Sequence, residues 1–124
     1  MPMPCPCGSD RALDVCCGPY LAGTALPADA ESLMRSRYSA YVLEDAAYVS
    51  ATWHPHTRPA SIDLDPPVKW LGLVVKRHEI TAEGEALVEF VARYKIAGRA
   101  HRLHEISRFV REGGRWLYLT GSEP

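Results

Sequence analysis

Residues 85–96 read EALVEFVARYKI. Apolar and polar side chains alternate along this run, and the apolar set is Ala86, Val88, Phe90, Ala92, Tyr94 and Ile96. A period of two is typical of a β-strand that buries one face. The run therefore predicts a strand whose apolar face packs toward the interior of the protein.

The same period of two appears on both sides of this run. VKWLGLVVKRHEI (68–80) precedes it, and AHRLHEISRFVR (100–111) and RWLYLTG (115–121) follow it. The segments between the runs are TAEG, AGR and EGG. Connections this short join antiparallel neighbours. The second half of the chain is thus predicted to be a four-stranded antiparallel meander.

A helical period occupies the region before the strands. Met34, Tyr38, Tyr41 and Val42 repeat at the spacing of one helix face. Asp29 is the predicted N-cap and Leu43 the predicted end, and Asp45 is expected to cap a second helix that carries Trp53. The proline-rich run HPHTRPASIDLDPP (54–67) predicts a surface loop. Helices followed by an antiparallel sheet indicate an α+β fold with the helices packed on one face of the sheet.

Length and composition favour one main domain. The chain has 124 residues, of which 47% are hydrophobic, and its formal net charge is −1. A core of this size supports one domain with a small appendage, and the charge gives no reason to expect nucleic acid or an anionic membrane as a partner. No apolar run approaches the ~18 residues of a membrane span, and the N-terminus lacks a secretory pattern. We therefore expect a cytoplasmic protein with reduced thiols.

All four cysteines lie near the N-terminus, in the order Cys5, Cys7, Cys16 and Cys17. Four thiolates complete the tetrahedral shell that zinc prefers, and a closed shell of this kind is structural. The segment around them is rich in Pro and Gly and has few large apolar side chains, so metal binding would supply the free energy that orders it. The spacing predicts one structural Zn²⁺.

Three other uses of the thiols remain open. Disulfides need an oxidising compartment that nothing in the sequence indicates. An iron–sulfur cluster also uses four thiolates, but these spacings differ from those of ferredoxins. Cys16 and Cys17 could instead be a reactive redox pair.

The run PCPCGSDRALDVCCGPY (4–20) resembles the SEC-C motif, a small zinc-binding element found at the C-terminus of the SecA translocation ATPase and in many other bacterial proteins. The resemblance covers the full cysteine spacing and the Cys-Gly-Ser turn. It implies that Cys5, Cys7, Cys16 and Cys17 are the metal ligands. It also implies a protein partner, by analogy one in the secretion or translation machinery.

A second resemblance covers nearly the whole chain. LMRSRYSAYVLEDAAYVSATWHPHTRP, KWLGLVV, HEISRF and RWLYLTG are similar to the bacterial YchJ-like family, in which a SEC-C motif precedes a nuclear transport factor 2-like (NTF2-like) domain. This implies a zinc motif at 1–22 and an α+β domain at 23–124 whose curved sheet wraps around the helices as a cone. The fold by itself does not define an activity.

The cone offers a candidate pocket. In the third run, Glu105 and Ser107 share a face with Leu103 and Phe109, so a carboxylate lies on an apolar side of the sheet. If Glu105 points into a cone lined by Trp53 and Tyr94, it could serve as a general base. The alternative is that Glu105 pairs with an arginine or a tyrosine hydroxyl and fixes the sheet to the helices.

His54 and Arg58, next to Trp53, extend this candidate pocket. His54, His56 and Arg58 lie in TWHPHTRP, where a loop packed against the cone mouth is favoured over a metal or anion site. Arg35 and Arg37 are expected on the solvated or rim side of the first helix.

Two functions follow from these features. The preferred one is a non-enzymatic, zinc-binding protein-interaction module. The alternative is a small-molecule-binding protein, or a hydrolase- or isomerase-like enzyme, that uses the cone around Glu105.

Overall fold

The computed structural model describes residues 3–64 and 68–124, so the end of the predicted loop (65–67) and the first two residues of the predicted zinc motif lie outside the described residues. A short 3-10 helix at Leu13–Val15 comes first in the chain. The helices are α1 Gly18–Leu21, α2 Ala30–Val42 and α3 Ala46–Ala51, and the strands are β1 Lys69–Ala82, β2 Glu85–Ile96, β3 Arg99–Glu112 and β4 Arg115–Ser122.

The four strands form one antiparallel sheet in the order β1-β2-β3-β4, which confirms the predicted meander and the α+β class. Two residues connect each pair of strands. Ala97 and Gly98 both have positive φ, at 51° and 78°, and the Gly113–Gly114 connection follows the same pattern. A turn with two successive positive φ angles matches the right-handed twist of the strands that it joins. Such turns favour glycine, because glycine adopts positive φ readily.

Strand β1 departs from simple alternation. Its pairing with β2 shifts register between Trp70 and Gly72, between Val75 and Arg77, and again between Ile80 and Ala82. Each irregularity bends the strand and changes which side chains face inward. In an uninterrupted strand, Leu71 would face the opposite side of the sheet from Val74 and Ile80. Because of the irregularities, all three side chains are exposed.

Both predicted helix caps are confirmed. The Asp29 carboxylate accepts a hydrogen bond from the Ser32 amide at 2.7 Å, and the Asp45 carboxylate accepts one from the Tyr48 amide at 3.0 Å. Caps of this kind stabilise a helix by about 1 kcal/mol each. Trp53 was expected on the second helix, but α3 ends at Ala51 and Trp53 instead forms an isolated bridge with Tyr118 of β4.

The expectation that Arg37 lies on a solvated or rim side is wrong, because Arg37 is only 6% exposed. Its guanidinium Nη1 donates to the Val49 carbonyl at 2.8 Å and to Thr52 Oγ1 at 2.7 Å. Carbonyls in the last turn of a helix lack intrahelical partners, and Arg37 supplies a donor to one at the end of α3. Arg35, by contrast, is half-buried.

One core joins the cysteine segment, which we define as residues 3–22, to the rest of the fold. Cys5, Cys7 and Cys17 pack in the same buried cluster as Leu33 of α2, Val88 of β2 and Phe109 of β3. The cysteine segment therefore packs against the α+β domain. Among the described residues, no helix has the length and apolar character needed to cross a bilayer.

Candidate metal centre and cone cavity

The first arm of the cysteine segment is a tight hairpin. The Cys5 amide donates to the Arg11 carbonyl at 2.9 Å, and the Leu13 amide donates to the Met3 carbonyl at 2.8 Å. The chain reverses through Gly8 and Asp10, which have positive φ angles of 79° and 66°. This reversal presents Cys5 and Cys7 on the inner side of the hairpin, where both are buried.

The second arm runs from the 3-10 helix into α1. The Cys16 amide donates to the Leu13 carbonyl at 3.1 Å, and the Leu21 amide donates to the Cys17 carbonyl at 3.0 Å. Gly18 permits this close passage, because a Cβ at that position would lie 2.7 Å from the Leu13 carbonyl oxygen. Cys16 and Cys17 consequently face back toward the first arm.

The four Sγ atoms lie within 4.8 Å of one another, and Cys7 Sγ lies 3.7 Å from Cys16 Sγ. Two sulfurs bound tetrahedrally to one zinc at about 2.3 Å are separated by about 3.8 Å. The residues present thus fit a single four-thiolate ion. All four are free thiols, three of them buried and Cys16 half-buried, which corresponds to a closed site.

Neighbouring polar groups surround the thiols. Ser9 Oγ lies 3.1 Å from Cys16 Sγ, and Ser39 Oγ of α2 lies 3.5 Å from Cys5 Sγ. Arg35 Nη1 donates to the Cys7 carbonyl at 2.9 Å. Such outer contacts orient metal ligands. Four thiolates around one divalent ion leave an excess of negative charge, which the nearby Arg35 guanidinium partly offsets.

The thiols do not share protons equally. A hydrogen bond with Cys17 lowers the pKa of Cys7 to about 4 against the opposing effect of burial. The same hydrogen bond, followed by burial, raises the pKa of Cys17. Burial is the main cause of the raised pKa of Cys16. These shifts favour the thiolate at Cys7 over those at Cys16 and Cys17, and metal binding must displace the protons that Cys16 and Cys17 hold.

A second concave feature, which we call the cone cavity, lies between the helices and the inner face of the sheet. Its volume is about 350 Å³. Of the six residues predicted around the cone, three line this cavity: Trp53, Glu105 and Ser107. Glu105 accepts a hydrogen bond from Ser107 Oγ. Arg37, Tyr41 and Tyr118 also line it.

The other three predicted residues lie elsewhere. The buried His54 ring accepts at Nδ1 from the His56 amide (3.1 Å), so Nε2 carries the proton that it shares with Glu112 at 2.6 Å. Arg58 donates to the Trp53 carbonyl through Nε and Nη2 at 3.1 and 2.9 Å. Tyr94 packs between Trp70 and His101, with ring centroids 5.4 and 5.2 Å away.

Arg37 is the charged cavity residue that the sequence did not predict. It lies over the rings of Tyr118 and Trp53, with its Cζ 4.6 and 5.1 Å from their centroids. A signal was present, because Arg37 is three residues after Met34 and four before Tyr41, both on the predicted apolar face. An arginine on that face is expected to stay exposed, because burial would leave its N–H groups without acceptors. Here the end of α3 supplies the acceptors, so Arg37 can be buried.

Comparison with known families identifies this arrangement. Residues 29–121 match the sequence model of a family described as the YchJ, middle NTF2-like domain. The chain belongs to the YchJ-like family. Among YchJ-like relatives, it is 62% identical over 122 residues to a UPF0225 protein of Methylibium petroleiphilum, covering 97% of this chain and 88% of the relative. A UPF0225 protein of Ralstonia nicotianae is 57% identical, covering 94% and 89% of the two chains.

Two solved structures share the YchJ-like architecture. The solution structure of a SEC-C motif containing protein from Rhodopseudomonas palustris has a TM-score of 0.88 and 37% identity, covering 98% of this chain and 99% of that one. The crystal structure of a SEC-C motif containing protein from Psychrobacter arcticus has a TM-score of 0.79 and 31% identity, with coverages of 94% and 80%. These likenesses confirm the expected SEC-C and NTF2-like combination.

Proposed function

We propose that the protein is a non-enzymatic zinc-binding interaction module, in which Cys5, Cys7, Cys16 and Cys17 hold one structural Zn²⁺. The approach of all four Sγ atoms to within 4.8 Å carries this proposal. The 3.7 Å between Cys7 Sγ and Cys16 Sγ is close to the separation of about 3.8 Å between two sulfurs bound tetrahedrally to one zinc, so the cluster has roughly the size of a single-ion site. Four cysteine ligands leave no coordination position for water or substrate, and three of the thiols are buried, which favours structural over catalytic zinc.

Zinc would fix the cysteine segment as a partner-binding surface. Met3 and Val15 expose 54% and 56% of their surface on this segment, although it is ordered around buried thiols. Exposed apolar side chains on a rigid scaffold suit contact with another protein. By resemblance to the SEC-C motif, the proposed partner belongs to the secretion or translation machinery, in the cytoplasm where thiols remain reduced.

Metal analysis tests the zinc site. Protein purified without added zinc should contain about one zinc per chain, and Cys16→Ser should lose it. Asp14→Ser is the matched control, because Asp14 is exposed on the same segment and is not in the cluster of possible metal ligands. Less than half an equivalent of zinc, or full retention by Cys16→Ser, would overturn the zinc proposal.

Thiol titration separates zinc from a redox pair at Cys16 and Cys17. Zinc-bound thiolates should react only after a chelator is added, whereas a redox pair reacts at once.

The partner proposal needs its own measurement. Holoprotein should bind purified SecA or purified ribosomes, and Val15→Asp should weaken that binding while the zinc content stays unchanged. Failure to bind either preparation would contradict the proposed partner class and leave the metal site standing.

A further inference from the structure

The cone cavity contains two opposite charges that do not neutralise each other by direct contact. Arg37 of α2 and Glu105 of β3 both line it, and no ion pair within 4.0 Å joins them in the described part of the chain. Glu105 accepts a hydrogen bond from Ser107 Oγ, and a hydrogen bond with Glu105 contributes to the raised pKa of Tyr118. A positive and a negative group therefore face the same enclosed space from different walls.

Arg37 keeps donors free for a ligand. Nη1 is committed to Val49 and Thr52, but Nε and Nη2 have no hydrogen-bond partner among residues 3–64 and 68–124. The side chain is 6% exposed, so the guanidinium is largely removed from bulk water. A buried guanidinium with free N–H groups favours a carbonyl or carboxylate acceptor placed there.

The remaining walls are largely aromatic and stay uncharged near neutral pH. Trp70 packs edge-on against Tyr38 with ring centroids 5.4 Å apart, and Trp53 packs edge-on against Tyr118 at 5.0 Å. Burial raises the pKa of Tyr41, and burial followed by the Glu105 charge raises that of Tyr118. Walls of this kind accept a flat ring.

From these features we infer that the cone cavity binds a small planar molecule with an uncharged polar head that accepts a hydrogen bond from Arg37 and donates one to Glu105, such as an aromatic carboxamide or a lactam. Charge decides the class. Arg37 and Glu105 sum to zero, so an ionised ligand would bring an uncompensated charge into a low-dielectric space, whereas a neutral amide matches both walls. This inference is independent of the proposed zinc site.

Three probes of nearly equal shape test the inference: benzamide, benzoate and benzylammonium. The readout is the indole N–H signals of zinc-loaded protein in a proton–nitrogen correlation spectrum. Trp53 and Trp70 line the cavity, whereas Trp116 donates to the Ala28 carbonyl at 3.3 Å and serves as an internal control. Benzamide should shift Trp53 and Trp70 with a Kd on the order of 1 mM, and both charged probes should bind about tenfold more weakly.

Glu105→Gln supplies the second arm of the experiment. Removing the negative charge leaves Arg37 unbalanced, so benzoate should bind about tenfold more tightly than it binds the native protein, and benzamide should lose affinity. Glu85→Gln is the matched control, because Glu85 is exposed on β2 and should leave all three affinities unchanged.

Several outcomes would overturn the inference. One is the absence of Trp53 and Trp70 shifts at about 10 mM benzamide. Another is tighter binding of either charged probe by the native protein. A third is a Glu105→Gln variant with the native order of preference.

Discussion

The cysteine segment and the cone cavity are assembled in opposite ways. The segment gathers Cys5, Cys7, Cys16 and Cys17 from within a short stretch, so their spacing alone indicates a shared ligand. The cavity gathers residues from α2, from Trp53 in the segment after α3, and from the strands, which are distant along the chain. When the ligands of a site lie close together in the sequence, their residue types and spacing are enough to predict the site. When the residues of a site come from distant elements, their side-chain orientations depend on the fold, and the sequence gives little information about them.

Helix α2 contacts both regions with different sides. Arg35 and Ser39 are four residues apart, so they share one side and reach the Cys7 carbonyl and Cys5 Sγ. Arg37 is two residues from each, about 200° around the helix, and points to α3 and the cone cavity. Helix α2 therefore lies between the cysteine segment and the cone cavity and contacts each with a different side.

Loss of the metal should have the largest effect on stability. Cys17 is 1% exposed and shares the main core, so Cys17→Ser should lower the free energy of unfolding by about 4 kcal/mol. Urea unfolding followed by circular dichroism measures this loss. A chelator should reproduce it in the native protein and add nothing to the variant.

Glu105→Gln is the control from the other region, and it should leave the response to chelator intact. An unchanged unfolding midpoint on chelation of the native protein would show that the cysteine segment is ordered without metal.

The separate origins of the two regions also explain what the sequence could predict. Strand parity placed Ala86, Val88 and Phe90 correctly inside, and the caps at Asp29 and Asp45 were readable because each acts within three residues. The bulges of β1 were not readable, because they depend on pairing with β2.

The membership of the cone cavity was predicted only in part. Trp53, Glu105 and Ser107 line the cavity, but the His54 ring is hydrogen-bonded to Glu112 of β3 instead. Glu112 is 58 residues from His54 in the sequence, and no local sequence pattern predicts their hydrogen bond. Arg37 was misplaced for the same reason, since its acceptors belong to α3.

Replacing the arginine that faces the cavity should cost less than losing the metal. Arg37→Met keeps the side-chain length but removes two charged hydrogen bonds, so the free energy of unfolding should fall by about 2 to 3 kcal/mol. Zinc content should be unchanged.

Arg35→Met is the matched comparison on the other side of α2. It removes the hydrogen bond to the Cys7 carbonyl and a partly exposed i,i+4 ion pair with Glu31, which is worth little, so it should cost about 1 kcal/mol, with weaker metal retention under chelator. If Arg35→Met were the more costly change, or if Arg37→Met released zinc, the division of α2 into two sides would be wrong.

Backbone crowding in the cysteine segment predicts a moderate effect. Gly18→Ala places a Cβ 2.7 Å from the Leu13 carbonyl oxygen, a rigid backbone atom, so the second arm must shift at a cost of about 1 to 2 kcal/mol. Chelator competition should show weaker zinc binding. Gly72→Ala is the control in β1, where an added Cβ meets nothing within 4 Å, and it should be neutral or slightly stabilising. Equal behaviour of the two variants would show that the close passage at Gly18 does not position Cys16 and Cys17.

The effect of ionisation in the cone cavity should appear only at high pH and be absent at neutral pH. Burial, followed by the charge of Glu105, raises the pKa of Tyr118 to about 12 from its ordinary 10.0. The unfolded phenol loses its proton first, so the folded state binds more protons between these values. The contribution of Tyr118 to stability is therefore complete below pH 10 and declines as the pH rises toward 12.

Urea midpoints measured from about pH 9 to about pH 11.5 test this, and Tyr118→Phe should decline less steeply than the native protein because phenylalanine cannot ionise. Zinc loss at high pH would affect both proteins equally, so the difference between their slopes isolates the cavity. Parallel slopes would mean that Tyr118 reaches solvent as freely in the folded state as in the unfolded chain, and that the cavity wall beside Glu105 is open to water.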